Sequence, residues 1–226
     1  MLKNNMSEVF SMAKKYGWVM EPQAKKLLQL AGLDVLRFLF TPDPDEAIRF
    51  VGEIKYPVVA KVVSPDVIHK SDVSGVALGI GNEKELREIF SRMNKIIGFQ
   101  GILVEEQFKG IEMIMGMKLD QQFGPVVLLG MGGTGVEIYK DISLRMAPLR
   151  EKDAESMIAS LVAQPLLKGY RGADGVNADE LKKTLMAFSN FVMEFGNDVE
   201  SVDINPLICN ASRCVVADAR IILSKQ

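Results

Sequence analysis

Tyr56-Pro57-Val58-Val59-Ala60-Lys61-Val62-Val63 runs directly into Ser64-Pro65-Asp66-Val67-Ile68-His69-Lys70-Ser71-Asp72, and the fold turns on how this junction is read. Residues 56–63 are β-branched, apolar and too short for an independent helix, which makes them a buried strand. Lys61 is read as closing the continuous apolar part of that strand. A lysine on a buried strand is costly unless it meets an anion, for which a nucleotide phosphate is the obvious choice. The competing reading is a strand-end lysine that snorkels to solvent. The following polar loop holds His69, the only histidine of the chain. A single histidine is most often a core or surface residue, but a loop leaving a lysine-bearing strand is a setting in which an imidazole meets phosphate.

Outward from this junction, strands and helices alternate without a strict βαβ rhythm. Pro22–Ala31 reads as a short amphipathic helix with Pro22 in its first turn and Gly32 as its stop. A strand over Asp34–Phe40 follows, and Thr41-Pro42-Asp43-Pro44-Asp45 caps a helix reaching about Ile54. Val73–Ile80 reads as a strand and Glu83–Ile97 as a helix. From Gly101 the pattern is strand-rich, with Ile102–Glu106, Ile111–Leu119 and Pro125–Gly130 separated by turns. Val136–Lys140 and Ser143–Met146 read as short strands, and Glu151–Val162 and Ala178–Gly196 as helices. Val199–Ile208 and Cys214–Ile222 close the chain as strands. The mixture argues for α+β layers rather than one doubly wound sheet.

Composition sets limits on function. The 226 residues suffice for one large or two small units, and 48% hydrophobic with 25% charged residues is ordinary for a globular protein. A formal net charge of −2 with scattered lysines and arginines gives no case for a nucleic-acid or anionic-membrane partner. No apolar stretch reaches the roughly 20 residues a membrane helix needs. The amino-terminal residues lack a secretory pattern, so the expected location is the cytoplasm. Two cysteines and one histidine cannot supply a four-ligand zinc site. Cys209 and Cys214 adjoin strand-like runs and are expected to face each other across a hairpin as two buried small hydrophobes.

Three further clusters carry oxygen or backbone chemistry. Val104-Glu105-Glu106 ends a strand whose backbone amides and carbonyls can meet an adenine edge, and Glu112 on the next strand can accept from ribose hydroxyls. Solvated carboxylates at a strand end are the bland alternative. Gly130-Met131-Gly132-Gly133-Thr134-Gly135 matches neither the P-loop nor the dinucleotide fingerprint. Its glycines instead suit close backbone approach and amide donation to an anion. Asp203 and Asn205 alternate along a strand and share a face, and Asp218 lies on the following strand. These oxygens suit magnesium carrying a nucleotide phosphate, against an alternative of an Asx turn and a surface aspartate.

Taken together, Tyr-Pro-Val-Val-Ala-Lys (56–61), His-Lys-Ser-Asp-Val-Ser-Gly-Val (69–76), Gln-Phe-Gly-Pro (122–125), Gly-Met-Gly-Gly (130–133), Lys-Gly-Tyr-Arg-Gly (168–172), Asp-Ile-Asn-Pro-Leu (203–207) and Asp-Ala-Arg-Ile (218–221) resemble one family. It is the beta subunit of ADP-forming acyl-CoA synthetases, an ATP-grasp chain distantly similar to the succinyl-CoA synthetase beta subunit. The resemblance covers about Glu21 to Ile222. Thr134-Gly135 stands where family members often carry a large apolar pair.

The resemblance implies an ATP-grasp fold of two α/β subdomains clamping a nucleotide, divided at residues 1–100 and 101–226. It implies that Lys61 contacts phosphates, that the residues around Glu105 form the adenine hinge, and that Glu112 binds ribose. Gly132 and Gly133 approach the phosphates, and Asn205 with Asp218 hold Mg2+. His69 becomes transiently phosphorylated with Asp203 nearby, and ATP or ADP is the substrate. The implied partner is an alpha subunit carrying the CoA and acyl-transfer site, in an alpha2beta2 heterotetramer. Two other functions fit the residues less fully: a stand-alone ATP-grasp carboxylate ligase working through an acyl-phosphate, and a non-catalytic nucleotide-binding regulatory subunit.

Overall fold

The computed structural model describes residues 2–133 and 141–225. The expected strand Val136–Lys140 and the Thr134-Gly135 pair lie outside the described residues. The chain forms two compact units, Leu36–Phe108 and Met1–Val35 with Lys109–Gln226. This differs from the expected boundary at 100/101, for a topological reason. Strand β5 (Gly101–Glu106) is an inner strand of the smaller unit's sheet, and β1 (Trp18–Val19) pairs with the last strand, β11 (Ala219–Leu223). The chain therefore passes between units twice, after Val35 and after Phe108.

The smaller unit is a four-stranded antiparallel sheet in the order β2 (Phe38–Thr41), β5, β3 (Val58–Val63), β4 (Val76–Ile80), with helices α3 (Pro44–Ile54) and α4 (Glu83–Met93). Each helix begins where the sequence supplies a cap. The Asp43 side chain accepts from Asp45 N at 2.9 Å ahead of Pro44, and Asn82 Oδ1 accepts from Glu85 N at 3.0 Å. Alternation along the strands sends Val58, Ala60 and Val62 of β3 and Ile102 and Val104 of β5 into one core. Ala47 and Val51 of α3 and Leu86, Phe90 and Met93 of α4 close it. Each large apolar side chain buried there contributes about 1.5–3 kcal/mol. The same alternation puts Lys61 and Glu105 on the opposite face.

The larger unit is built on a seven-stranded sheet in the order β1, β11, β9 (Val199–Cys209), β6 (Ile111–Asp120), β7 (Gly124–Met131), β8 (Ile142–Met146), with β10 (Cys214–Val216) also paired to β9. Its helices are α1 (Leu2–Ala13), α2 (Glu21–Leu30), α5 (Glu151–Ala159), α6 (Gln164–Leu167) and α7 (Ala178–Val192). Met113, Met115 and Met117 of β6, Val127 and Leu129 of β7, and Val202, Ile204 and Leu207 of β9 form the buried face. Ser143 of β8 points the same way and meets Ser160 Oγ, just beyond α5, at 2.9 Å. The residues between them along the strands form the open face, polar at Asp203, Asn205 and Arg220 and apolar at Leu128, Ile142, Leu144 and Met146.

Several elements differ from the sequence reading. The strand expected over Asp34–Phe40 is Phe38–Thr41. The strand expected from Val73 starts at Val76, because Lys70–Val73 winds as a 3-10 turn and Ser74 takes a left-handed φ of 54°. The last expected strand is split into β10 and β11, since Ala217 N and Asp218 N both turn to Pro206 O at 3.1 and 3.4 Å. Helix α1 was not anticipated. Cys209 and Cys214 sit directly opposite each other at a Cα separation of 4.1 Å, as the hairpin reading expects. Their sulfur atoms adjoin, and both side chains are buried.

Candidate functional site

In the smaller unit, β3 and β5 carry the charged pair. Lys61 is the fourth residue of β3 rather than its end, and it is 5% exposed. Its Nζ lies 2.8 Å from Oε1 of Glu105, which is 1% exposed. The solvent-snorkelling alternative for Lys61 is therefore excluded. The register places Lys61 opposite Leu103 and Glu105 opposite Val59, so the pair bridges two strands diagonally on the face away from α3 and α4.

His69 is exposed and occupies the corner between β3 and β4, immediately before the Lys70–Val73 turn. The turn is tied back on itself by Gly75 N donating to Lys70 O at 2.7 Å. Gly75 is the only residue type that fits there, since a Cβ would approach Lys70 O to 2.9 Å. Val62 N donates to Gly75 O at 2.8 Å, which joins the turn to the Lys61 strand. The imidazole thus projects from a compact corner anchored on both flanking strands.

Val104 is fully buried in the helix-side core, so its side chain is closed to any ligand. Glu106 is half-buried at the end of β5, and its carboxylate is engaged by Arg37, a residue that the sequence reading did not single out.

The larger unit collects the remaining residues on the open face of its sheet. Asp203 lies opposite both Gly116 of β6 and Arg220 of β11. Arg220 Nη2 is 3.5 Å from Asp203 Oδ2. Asn205 N donates to Asp218 O at 3.2 Å, which places Asn205 and Asp218 side by side, one row further on the same face. Asp203 and Asn205 are exposed and Asp218 half-buried. Among the described residues, no three His, Cys, Asp or Glu side chains are grouped to hold a metal. The donor set is instead one amide oxygen and one carboxylate on neighbouring strands. That matches magnesium, which is bound by one or two carboxylates and completes its shell with phosphate and water oxygens.

Glu112 is exposed on β6, and its carbonyl accepts from Gly132 N at 2.8 Å. A Cβ at Gly132 would lie 2.8 Å from Glu112 C, while one at Gly133 would lie 3.9 Å from Glu112 Oε2. Gly133 has φ +86°, open chiefly to glycine. The two glycines therefore seat the start of the loop against the Glu112 backbone, with the carboxylate beside them. Asp141 holds the loop's other end: its carboxylate accepts from Val162 N and Ala163 N at 2.7 and 2.8 Å, and its carbonyl accepts from Met131 N at 3.1 Å.

The site residues read from the sequence divide between the two units. His69, Lys61, Val104, Glu105 and Glu106 belong to the smaller unit, and Glu112, Gly132, Gly133, Asp203, Asn205 and Asp218 to the larger. Arg37 and Arg220 were missed as partners. Arg220 had a signal, lying within Asp-Ala-Arg-Ile (218–221); Arg37 had none.

A family model described as an ATP-grasp domain matches residues 11–223. The beta subunit of acetate–CoA ligase (ADP-forming) I from Pyrococcus furiosus is 39% identical over 91% of this chain and 91% of its own length. The 4-hydroxybutyrate–CoA ligase (ADP-forming) of Nitrosopumilus maritimus is 34% identical over 97% of this chain, which spans 33% of that longer protein. A solved structure of the dinucleotide-forming acetyl-coenzyme A synthetase 1 of Ca. Korarchaeum cryptofilum superposes with a TM-score of 0.85 at 37% identity, covering 96% of this chain and 99% of that one. That protein is in complex with coenzyme A and Mg-AMPPCP, with a phosphohistidine segment pointing towards its nucleotide binding site. No helix among the described residues is long and apolar enough to cross a membrane.

Proposed function

We propose that this chain, which belongs to the ATP-grasp beta subunits of the ADP-forming acyl-CoA synthetases, passes a phosphoryl group between a partner's phosphohistidine, its own His69, and ADP. The net reaction is acyl-CoA + ADP + phosphate = acid + CoA + ATP. The observation that carries the reading is the placement of the single histidine. It is exposed on a braced corner whose supporting strand holds the buried Lys61.

The chemistry proceeds in two transfers. The partner's P–N bond breaks as a P–N bond forms to the His69 imidazole. That second bond then breaks as a terminal β-phosphate oxygen of ADP forms a P–O bond. A proton taken up on the ring lets neutral imidazole leave. Such transfers need little covalent assistance from the protein, so positioning and charge neutralisation dominate. Lys61 supplies a phosphate contact, the backbone at Val104, Glu105 and Glu106 reads the base, and Glu112 accepts from ribose. The amides at Gly132 and Gly133 approach the phosphates. Asp203 orients the phosphorylated ring. Asn205 and Asp218 would hold Mg2+, which when bound offsets phosphate charge.

The acyl and CoA chemistry falls to an alpha subunit, in an alpha2beta2 assembly in the cytoplasm. The long relatives in which this chain's counterpart fills about a third of the sequence support that division of labour.

Intact-mass measurement after incubation with Mg-ATP tests the relay. The expected result is an acid-labile gain of one phosphoryl group that is absent from His69→Asn, while nucleotide binding persists in that variant. Full turnover by His69→Asn with the partner present would refute it, and would favour the acyl-phosphate ligase.

A further inference from the structure

The end of β5 departs from an ordinary antiparallel ladder at one bond. Phe38 pairs with Glu105, so Arg37 lies opposite Glu106. In a hydrogen-bonded pair of this kind, the two residues exchange both N–H···O bonds. One is made normally: Glu106 N donates to Arg37 O at 3.1 Å. The other is diverted. Arg37 N donates to the Glu106 side chain, Oε1, at 3.1 Å, while Arg37 Nε donates to Oε2 at 3.0 Å. Glu106 thus substitutes its own carboxylate for its own carbonyl, and the Arg37 N–H is withdrawn from that carbonyl.

A backbone carbonyl turned along a strand edge and deprived of its ladder donor needs another. The next residue adds a second acceptor, since Gln107 Oε1 is buried without a hydrogen-bond partner among the described residues. The hinge therefore carries a surplus of acceptors where the reading above places the base.

We infer that Arg37 is a positioning residue for base recognition. By clamping the Glu106 carboxylate it keeps the Glu106 carbonyl available to the exocyclic amino group of adenine. A carbonyl accepts from the 6-amino group but is opposed by the 6-oxo group of hypoxanthine or guanine. The Arg37–Glu106 pair thereby contributes to the choice of adenine over a 6-oxopurine. Arg37 itself, with its side chain 62% exposed, need not touch the ligand.

The inference rests on the proposed nucleotide site, and the experiment separates the two. Binding of Mg-ADP and of Mg-IDP to the full chain is measured by calorimetry for the unmodified protein, Arg37→Ala and Arg37→Lys. Arg37→Ala should weaken ADP binding about tenfold, the worth of one hydrogen bond of this kind. IDP binding should stay within about twofold, so that discrimination collapses. Arg37→Lys, which unlike Arg37→Ala keeps a side-chain cation beside the Glu106 carboxylate, should recover most of it. Equal losses for both nucleotides would make Arg37 merely structural and overturn the assignment, as would an unchanged ADP/IDP ratio. If the unmodified chain binds neither nucleotide, alone or with its partner, the nucleotide site itself fails and the inference falls with it.

Discussion

Removing the ammonium of Lys61 should damage stability and nucleotide binding together, and the structure allows the two to be separated. Lys61 Nζ and Glu105 Oε1 are 2.8 Å apart, with side chains only 7% and 2% exposed. Taking one member from a buried pair strands the other charge, at a cost of about 3–5 kcal/mol. Replacing both by apolar residues removes the stranded charge, so the double variant should lose far less than the sum of the singles. With a urea dependence of roughly 1–3 kcal/mol per molar, Lys61→Met and Glu105→Leu should each lower the unfolding midpoint of the smaller unit by at least about 1 M. The double variant Lys61→Met/Glu105→Leu should recover at least half of that loss. Fluorescence and circular dichroism should be followed together, because two units need not unfold in one step. Nucleotide binding follows a different pattern: any variant without Lys61 loses it, including the rescued double variant. Additive single effects below about 1 kcal/mol each would refute the buried-pair argument. Tight Mg-ADP binding by the double variant would refute the phosphate role of Lys61.

Two further outcomes follow from the larger unit. Gly132→Ala should cost about 1–3 kcal/mol and reduce phosphoryl transfer at least tenfold, because its Cβ would stand 2.8 Å from Glu112 C and push β6 from the loop; a variant of unchanged melting temperature and turnover would contradict this. Asp218→Asn should raise by about tenfold the magnesium concentration needed for half-maximal ADP binding, since a carboxylate gives way to a neutral amide. Asn205→Ala should do the same, and a magnesium titration unchanged in both variants would remove these residues from the metal site.

How much could be read from the sequence depended on the range of the determining interaction. The β3 run, the Asp43 cap and the Asn205/Asp203 alternation are local patterns, and each appears in the structure where the residues put it. The polar row of Asp203, Asn205 and Asp218 followed from that alternation together with one hairpin. Partners set by strand register were not legible. Glu105 is one carboxylate among adjacent ones until β3 and β5 are paired, at which point it is the buried mate of Lys61. Arg37 is an unremarked arginine until β2 is set against β5. Lys25, in a helix read as amphipathic, has its charge wholly buried beside Glu21 at 3.2 Å, which no periodicity announces. The unit boundary failed for the same reason, because a cut in sequence cannot show that the first 35 residues belong with the last strands. The opposition of Cys209 and Cys214 was visible, because it depends on one short hairpin.

That interleaving fixes an order of events on the ribosome. Every strand and helix of the smaller unit lies between Leu36 and Phe108, so its core can close while the rest of the chain is still being made. The larger sheet has to wait. Trp18 finds Ile222 about 200 positions later, and β6, synthesised midway, is flanked by β9 only near the end of translation. Until then β6 and β7 present an unprotected strand edge, and the first 35 residues have no sheet to join. A truncation that removes only β11 would therefore leave β1 without its partner strand while the Lys61 and His69 unit keeps all of its own strands.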